Sequence, residues 1–189
     1  MTYIILASSS PRRKELLLEA EFQFTVIEPR INEDELLREQ TAPAEYAKKA
    51  ALAKAMNVAQ RYPDAFVIGA DTVVDFNGQT IGKPLDAKDA ERITKMLFSA
   101  PHKVITALAI VGISDGVEVV QTDTTTIYPK KLDENDIAAH ISSGRWRDKA
   151  GAYAIQEQDP LIERIEGSLT NVVGLPMELL QKLLENITD

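Results

Sequence analysis

Hydrophobic and polar positions fall along this chain in blocks whose length and period separate strands from helices. Tyr3-Ile4-Ile5-Leu6-Ala7 is a short, continuously apolar run and predicts a buried strand. Leu16, Leu17 and Ala20 then recur at helical spacing over 11–20, with the small polar loop Ser8-Ser9-Ser10 between the two elements. Ser10 is placed to cap that helix, and Pro11 suits its first turn, where a missing N–H leaves nothing unsatisfied. Residues 23–27 predict a second strand, and 28–40 an acidic irregular segment carrying Glu28, Glu33, Asp34, Glu35 and Glu39. The alanine-rich stretch 43–61, with Tyr46, Ala50, Ala53, Ala55 and Val58, predicts an amphipathic helix. Lys48, Lys49 and Lys54 lie along it, and lysines in such places are usually solvated.

The second half of the pattern is built from hairpins. Residues 66–74 read as a strand covered on both faces, Asn77-Gly78 as a tight turn and 79–81 as the return strand, stopped by Pro84. Asp86 caps a helix over 87–98. Residues 102–113 and 117–128 form a second hairpin about Asp115-Gly116, and Asp133 caps a helix that ends at Gly144. A short strand over 161–165 precedes a C-terminal amphipathic helix whose Met177, Leu179, Leu180, Leu183 and Leu184 are core positions. Hairpins cannot belong to a purely parallel sheet, so the expected class is α/β with a central mixed β-sheet flanked by helices. Residues 1–189 are expected to form one domain, or two closely joined lobes.

Charge changes the picture at three places. Arg12, Arg13 and Lys14 occupy the first turn of the first helix, the end of the dipole where anions are favoured by about 0.3–1 kcal/mol each. A bound phosphate, held by backbone N–H groups, Ser hydroxyls and forked guanidinium groups, resolves that conflict; a solvated basic turn is the alternative. Asp71 is a carboxylate inside an otherwise apolar strand, and an unpaired one there costs several kcal/mol. It therefore calls for a cation or a metal in a cleft, or for backbone N–H groups at a bulge, and the small Gly69 and Ala70 admit a close neighbour. The hairpin register carries Lys83 back toward the level of Thr72 and Asp71. The third place is the segment 145–153, where Arg145, Arg147 and Lys149 accompany Trp146 and Tyr153. It suits a phosphate and a base, although a Trp at such a junction more often anchors packing.

Composition narrows the chemistry. The 189 residues include no cysteine, which excludes disulfides, thiolate metal sites and cysteine nucleophiles. With only two histidines, His102 and His140, any metal is expected on oxygen ligands. The net charge of −8 argues against long nucleic acid but not against a small polyphosphate in one basic pocket. The N-terminal apolar run is too short to span a bilayer, and a cytoplasmic protein is expected. No Gly-x-x-x-x-Gly-Lys-Ser/Thr loop is present, so a conventional P-loop enzyme is not expected. Cations at element ends beside a carboxylate are what hydrolysis of a nucleoside triphosphate requires.

These same segments carry a resemblance. Leu6 to Arg13, Gly69-Ala70-Asp71-Thr72-Val73, Gly82-Lys83-Pro84, Asp148 to Tyr153 with Ile155-Gln156, and Asn171 to Pro176 occur in the order found in the Maf family of nucleoside triphosphate pyrophosphatases. The sequence resembles that family from end to end. The resemblance implies a fold similar to inosine triphosphate pyrophosphatases, two lobes around a cleft, and cleavage between the α- and β-phosphates with a divalent cation, magnesium or manganese. It implies that Asp71 is general base or metal ligand, with Glu33 a second metal-binding carboxylate, and that Lys83 stabilises developing charge. Ser8, Arg12, Arg13, Lys54, Thr72, Lys149 and Gln156 are the expected substrate-binding residues, and a homodimer is the expected assembly.

Thr72, Lys83 and Gln156 are similar to the set of the branch acting on dTTP and UTP, whereas the 7-methyl-GTP branch carries Gln and Glu at the Thr72 and Gln156 positions. The amide of Gln156 both donates and accepts, as a pyrimidine edge requires. Glu157, Asp159, Ser168-Leu169-Thr170 and Ser99-Ala100-Pro101-His102 depart from the family pattern. Two alternatives stand at this point: a nucleotide-binding regulator of cell division with little turnover, and a pyrophosphatase for a purine or 7-methyl-GTP nucleotide.

Overall fold

The structure, a computed structural model, describes residues 3–32, 41–147, 149–153 and 161–188. Its centre is a seven-stranded mixed sheet of β1 (Ile4–Ala7), β2 (Phe24–Val26), β3 (Phe66–Phe76), β4 (Gln79–Ile81), β5 (His102–Gly112), β6 (Val117–Pro129) and β7 (Ile162–Glu166). The order is β2-β1-β3-β5-β6-β7, with β4 paired to part of β3. β1 runs parallel to β2 and β3, while β3–β4, β3–β5, β5–β6 and β6–β7 are antiparallel. The expected mixed α/β class is therefore the observed one.

Alternation along β3 divides the core. Val67 and Val73 face helix α2 (Pro43–Ala59), and with Ile5, Ala7, Ala107 and Ala109 they close against its alanines. Ile68 and Ala70 face the other way. With Leu6, Leu108 and Ile110 they pack on α1 (Pro11–Glu19) and the C-terminal α6 (Met177–Thr188). Leu175, Leu180 and Leu183 belong to this second cluster, as the spacing of the C-terminal helix predicts. A third cluster gathers Val74, Val104 and Ile127 with α3 (Ala87–Leu97), Trp146 and Tyr153. Trp146 is an anchor: it is buried, and its indole N–H donates to the Ile141 carbonyl at 3.0 Å.

The caps read from sequence are mostly those observed. Asp86 accepts from the Asp89 amide at 2.8 Å. Asp133 and Asp136 cap α4 (Glu134–Ser143) reciprocally, and Gly144 ends it in the left-handed region at φ 68°. Ser10 is a correction. It occupies the N-cap of α1, but its hydroxyl makes no capping bond, and its own N–H donates to Ser8 Oγ at 3.1 Å.

A short helix before the C-terminal one escaped the periodicity. It is α5 (Leu169–Val173), capped by Ser168 and closed by Gly174 at φ 118°. One turn of Thr and Val has little helical propensity of its own and forms here because its ends and Asn171 are tied to the sheet.

Candidate active site

Strand β3 is paired with β5 continuously from Val67 to Asp75, but its other edge is interrupted. β1 reaches it only as far as the Ala7–Gly69 pair, and β4 joins it only from the Val74–Ile81 pair. Between them Ala70, Asp71, Thr72 and Val73 have no strand partner on that side among the described residues, so the sheet opens in a fork at the residues the sequence singles out. The Ser8-Ser9-Ser10 loop leaves β1 at this fork, and Gly82-Lys83-Pro84 leaves β4 there. A split between strand ends of an α/β sheet is where ligands are usually received.

On one face of β3 lies an ion pair. Lys54 Nζ stands 2.7 Å from Asp71 Oδ1, with 9% and 10% of the two side chains exposed. Gly69 makes this contact possible, because β3 passes so close to α2 that a Cβ at residue 69 would lie 2.3 Å from the Ala51 carbonyl oxygen and 2.8 Å from the Ala55 nitrogen. The small residue expected to admit a neighbour thus admits a helix backbone, and Lys54 on that helix is delivered to Asp71. Solvation, the usual state of a helix lysine, does not describe Lys54.

On the opposite face the next residue, Thr72, belongs to a cationic arm. Arg13 donates from Nε to the Gly174 carbonyl at 2.7 Å, from Nη2 to Thr72 Oγ1 at 3.2 Å, and from Nη1 to Ser8 Oγ at 3.4 Å. Ser8 is buried and receives the Ser10 amide as well, which bends the loop across the start of α1. Ser10 does not cap α1 and no acidic residue lies in its first turn, so neither device sets a negative charge against the positive end of that helix. Arg12 is half-buried, and its side chain has no hydrogen bond or ion pair among the described residues. Asp71 and Thr72 therefore present a carboxylate to one face and a guanidinium-bearing arm to the other. A ligand touching both must lie across the open edge of β3.

Lys83 is exposed in the loop after β4 and makes no ion pair among the described residues; the cation on Asp71 is Lys54. The Lys83 loop is pinned at both ends. The Gly82 carbonyl accepts from the Gly151 N–H at 3.1 Å, and the Leu85 N–H donates to Asp89 Oδ2 at 3.1 Å. That amide, followed by Arg92, holds the Asp89 carboxyl below its ordinary range. The Gly82–Gly151 bond also joins this loop to the segment carrying Lys149, which is half-buried at the start of the turn Ala150–Ala152. Glu33, Gln156 and Asp148 lie outside the described residues.

His102 is structural. It is buried at the start of β5, its Nδ1–H donates to the Leu97 carbonyl at 3.1 Å, and its Nε2 accepts from the Tyr153 hydroxyl at 2.5 Å. Burial pushes its pKa down, against the opposing effect of the Ala100 and Leu97 carbonyls.

Thr106, Asn171 and Gly174 have no site role in the sequence reading, although Asn171 and Gly174 stand in one of the segments that carry the resemblance. Thr106 sits opposite Thr72 in the β3–β5 register, with 2.9 Å between the hydroxyl oxygens. Asn171 and Thr106 are both fully buried. The signal was there to find: Thr106 is a hydroxyl inside an apolar strand, and the logic that flagged Asp71 applies to it equally.

Known proteins resemble this chain in sequence and in fold. A dTTP/UTP pyrophosphatase of Bdellovibrio bacteriovorus is 45% identical over 185 residues, covering 96% of each chain. A protein of the same name from Pyrococcus furiosus is 40% identical over 190 residues, covering 98% of this chain and 95% of its own. In fold, the chain matches the Staphylococcus aureus Ham1 protein with a TM-score of 0.55 at 15% identity, over 98% of this chain and 99% of the other. A HAM1 protein from Coxiella burnetii gives the same TM-score of 0.55 at 13% identity. The model of the Maf-like protein family matches residues 3–187, and the chain belongs to that family.

Proposed function

We propose that this protein hydrolyses dTTP and UTP between the α- and β-phosphates, giving the nucleoside monophosphate and pyrophosphate. The observation that carries the reading is the placement of Asp71 and the Arg13–Thr72 arm on consecutive residues, facing opposite ways at a strand edge that neither β1 nor β4 covers. Relatives at 40–45% identity bear the name dTTP/UTP pyrophosphatase. In the reaction a water oxygen bonds to the α-phosphorus, the bond from that phosphorus to the α–β bridging oxygen breaks, and pyrophosphate leaves with the bridging oxygen. Asp71 acts at the reacting centre, as the base that takes the proton from the water or as a ligand of the divalent cation. Lys54 fixes the carboxylate's orientation through the 2.7 Å contact. Arg12, Arg13 and the first-turn amides of α1 neutralise the phosphate chain, Ser8 adds a hydroxyl, and Lys83 and Lys149 offset the charge developing on the leaving group.

A divalent cation belongs to this reading, and the donor set suits one. Asp71 offers a hard oxygen ligand at the open edge. Oxygen ligands suit magnesium or manganese held by one or two carboxylates and completed by substrate phosphates, and that role is assigned to Asp71 and Glu33. When bound, the cation supplies charge neutralisation along the polyphosphate. Gln156 is assigned to the pyrimidine edge. Among the described residues no helix is long and apolar enough to cross a membrane. The reading takes the cytoplasm, where free nucleotides are, as the compartment, and the family resemblance supports a homodimer.

The test is pyrophosphate release from a panel of nucleotides with magnesium or manganese, by the unsubstituted protein and by Asp71→Asn. The expected result is preference for dTTP and UTP and a loss of roughly 10²–10⁴-fold in Asp71→Asn. Absence of pyrophosphate from every nucleotide, or full turnover by Asp71→Asn, overturns the reading. A companion Gln156→Glu variant checks the base assignment, since an unchanged ratio of UTP to 7-methyl-GTP turnover would remove Gln156 from the pocket.

A further inference from the structure

Two of Arg13's contacts converge on one carbonyl. Its Nε donates to the Gly174 carbonyl, and the Gly174 N–H donates to the Asn171 carbonyl at 3.0 Å. Its Nη2 donates to Thr72 Oγ1, Thr72 Oγ1 meets Thr106 Oγ1 at 2.9 Å, and Thr106 Oγ1 donates to the same Asn171 carbonyl at 2.8 Å. A hydroxyl has one hydrogen, and Thr106 has committed its own to Asn171. Thr72 must therefore donate to Thr106, which leaves Thr72 an acceptor toward Arg13. Every hydrogen from the guanidinium to the Asn171 carbonyl thus runs in one direction.

Asn171 is in turn fixed by its side chain. Its Oδ1 accepts from the Thr106 N–H at 3.1 Å, and its Nδ2 donates to the Val104 carbonyl at 3.0 Å and to Thr125 Oγ1 at 2.9 Å. The amide engages the β5 backbone much as a neighbouring strand would, and both of its N–H donors are used. Such buried, fully satisfied polar groups specify one arrangement, because any shift leaves a donor or acceptor unpaired at a cost of about 1–3 kcal/mol.

We propose that Thr106 and Asn171 are positioning residues that set the guanidinium of Arg13 for phosphate, acting through Thr72 and Gly174 without touching the nucleotide. This rests on the assignment of Arg13 to phosphate. It predicts that the Thr106 hydroxyl matters only while Arg13 is present.

The test uses inorganic pyrophosphate as the probe, with binding followed by calorimetry for the unsubstituted protein, Thr106→Val, Thr106→Ser, Arg13→Ala and the Thr106→Val/Arg13→Ala pair. Thr106→Val is expected to weaken binding by roughly 10-fold, as loss of a hydrogen-bonded support to a charged group would. Thr106→Ser is expected to restore it, and in the Arg13→Ala background Thr106→Val should change nothing further. In parallel, nuclear magnetic resonance of the Arg13 guanidinium is expected to show hindered rotation in the unsubstituted protein and fast averaging in Thr106→Val. If Thr106→Val does not fold, Thr106→Ala takes its place in both measurements. A Thr106 effect of equal size with and without Arg13, or guanidinium rotation unaltered by loss of the hydroxyl, overturns the positioning role. If Arg13→Ala binds pyrophosphate normally, the phosphate assignment fails instead, and the rotation measurement still decides whether the hydroxyl chain orders Arg13.

Discussion

Lys54 Nζ lies 2.7 Å from Asp71 Oδ1 in a pair that is about nine-tenths buried. Removing one member of such a pair takes from the other its buried counter-charge, which costs about 3–5 kcal/mol, whereas replacing both is far milder. Lys54→Met and Asp71→Leu are each expected to lower the urea-unfolding midpoint substantially, and the double variant to recover much of the loss. Equal, additive losses would show that the two side chains are not coupled. The double variant should remain inactive, since recovery of stability does not return the carboxylate.

Gly69 is the residue that lets α2 come close enough for that pair. Gly69→Ala puts a methyl group 2.3 Å from the Ala51 carbonyl oxygen, a contact that only movement of backbone can relieve. A loss of about 1–3 kcal/mol is expected from overpacking, measured by denaturant unfolding. Nucleotide turnover should fall more steeply than stability predicts, because Lys54 moves with the helix; retained turnover at wild-type levels would count against this arrangement.

Gly174 serves the opposite face. Its φ of 118° is a conformation that side chains rarely adopt, and its carbonyl receives Arg13 Nε. Gly174→Ala is expected to cost about 1–3 kcal/mol of backbone strain and to raise KM for the nucleotide more than it lowers kcat. Steady-state kinetics on dTTP at saturating magnesium checks the split.

His102 ties the third core cluster together through Leu97 and Tyr153, and its pKa is pushed down by burial from the ordinary value of 6.5. A histidine depressed in the folded state favours folding while it is neutral, at pH above 6.5, and that contribution is lost as pH falls from there through the lowered value. Thermal midpoints should therefore decline below about pH 6.5, and His102→Gln should flatten that part of the profile while lowering the midpoint at neutral pH. An unchanged pH profile in the variant would remove His102 from the account.

Hydrophobic period and turn chemistry, properties of consecutive residues, are visible in a single sequence. They were enough for the strand read over 66–74 and observed over 66–76, the two hairpins, the Asp86 and Asp133 caps and the mixed sheet. Local conflict was equally visible: cations in the first turn of α1, and a carboxylate inside an apolar strand, marked Arg12, Arg13 and Asp71. Which cation answers Asp71 was not. The hairpin register pointed to Lys83, but Lys54, which pairs with Asp71, comes from α2, brought in because Gly69 lacks a side chain. Nor was the chain from Arg13 to Asn171 legible, for its members lie as far apart as residues 13, 72, 106 and 171 and meet only through strand pairing and a one-turn helix. Sequence by itself determined which residues needed a partner, because burial and charge follow from local pattern. Tertiary structure alone decided which partner each received, because that depends on which backbones can approach one another.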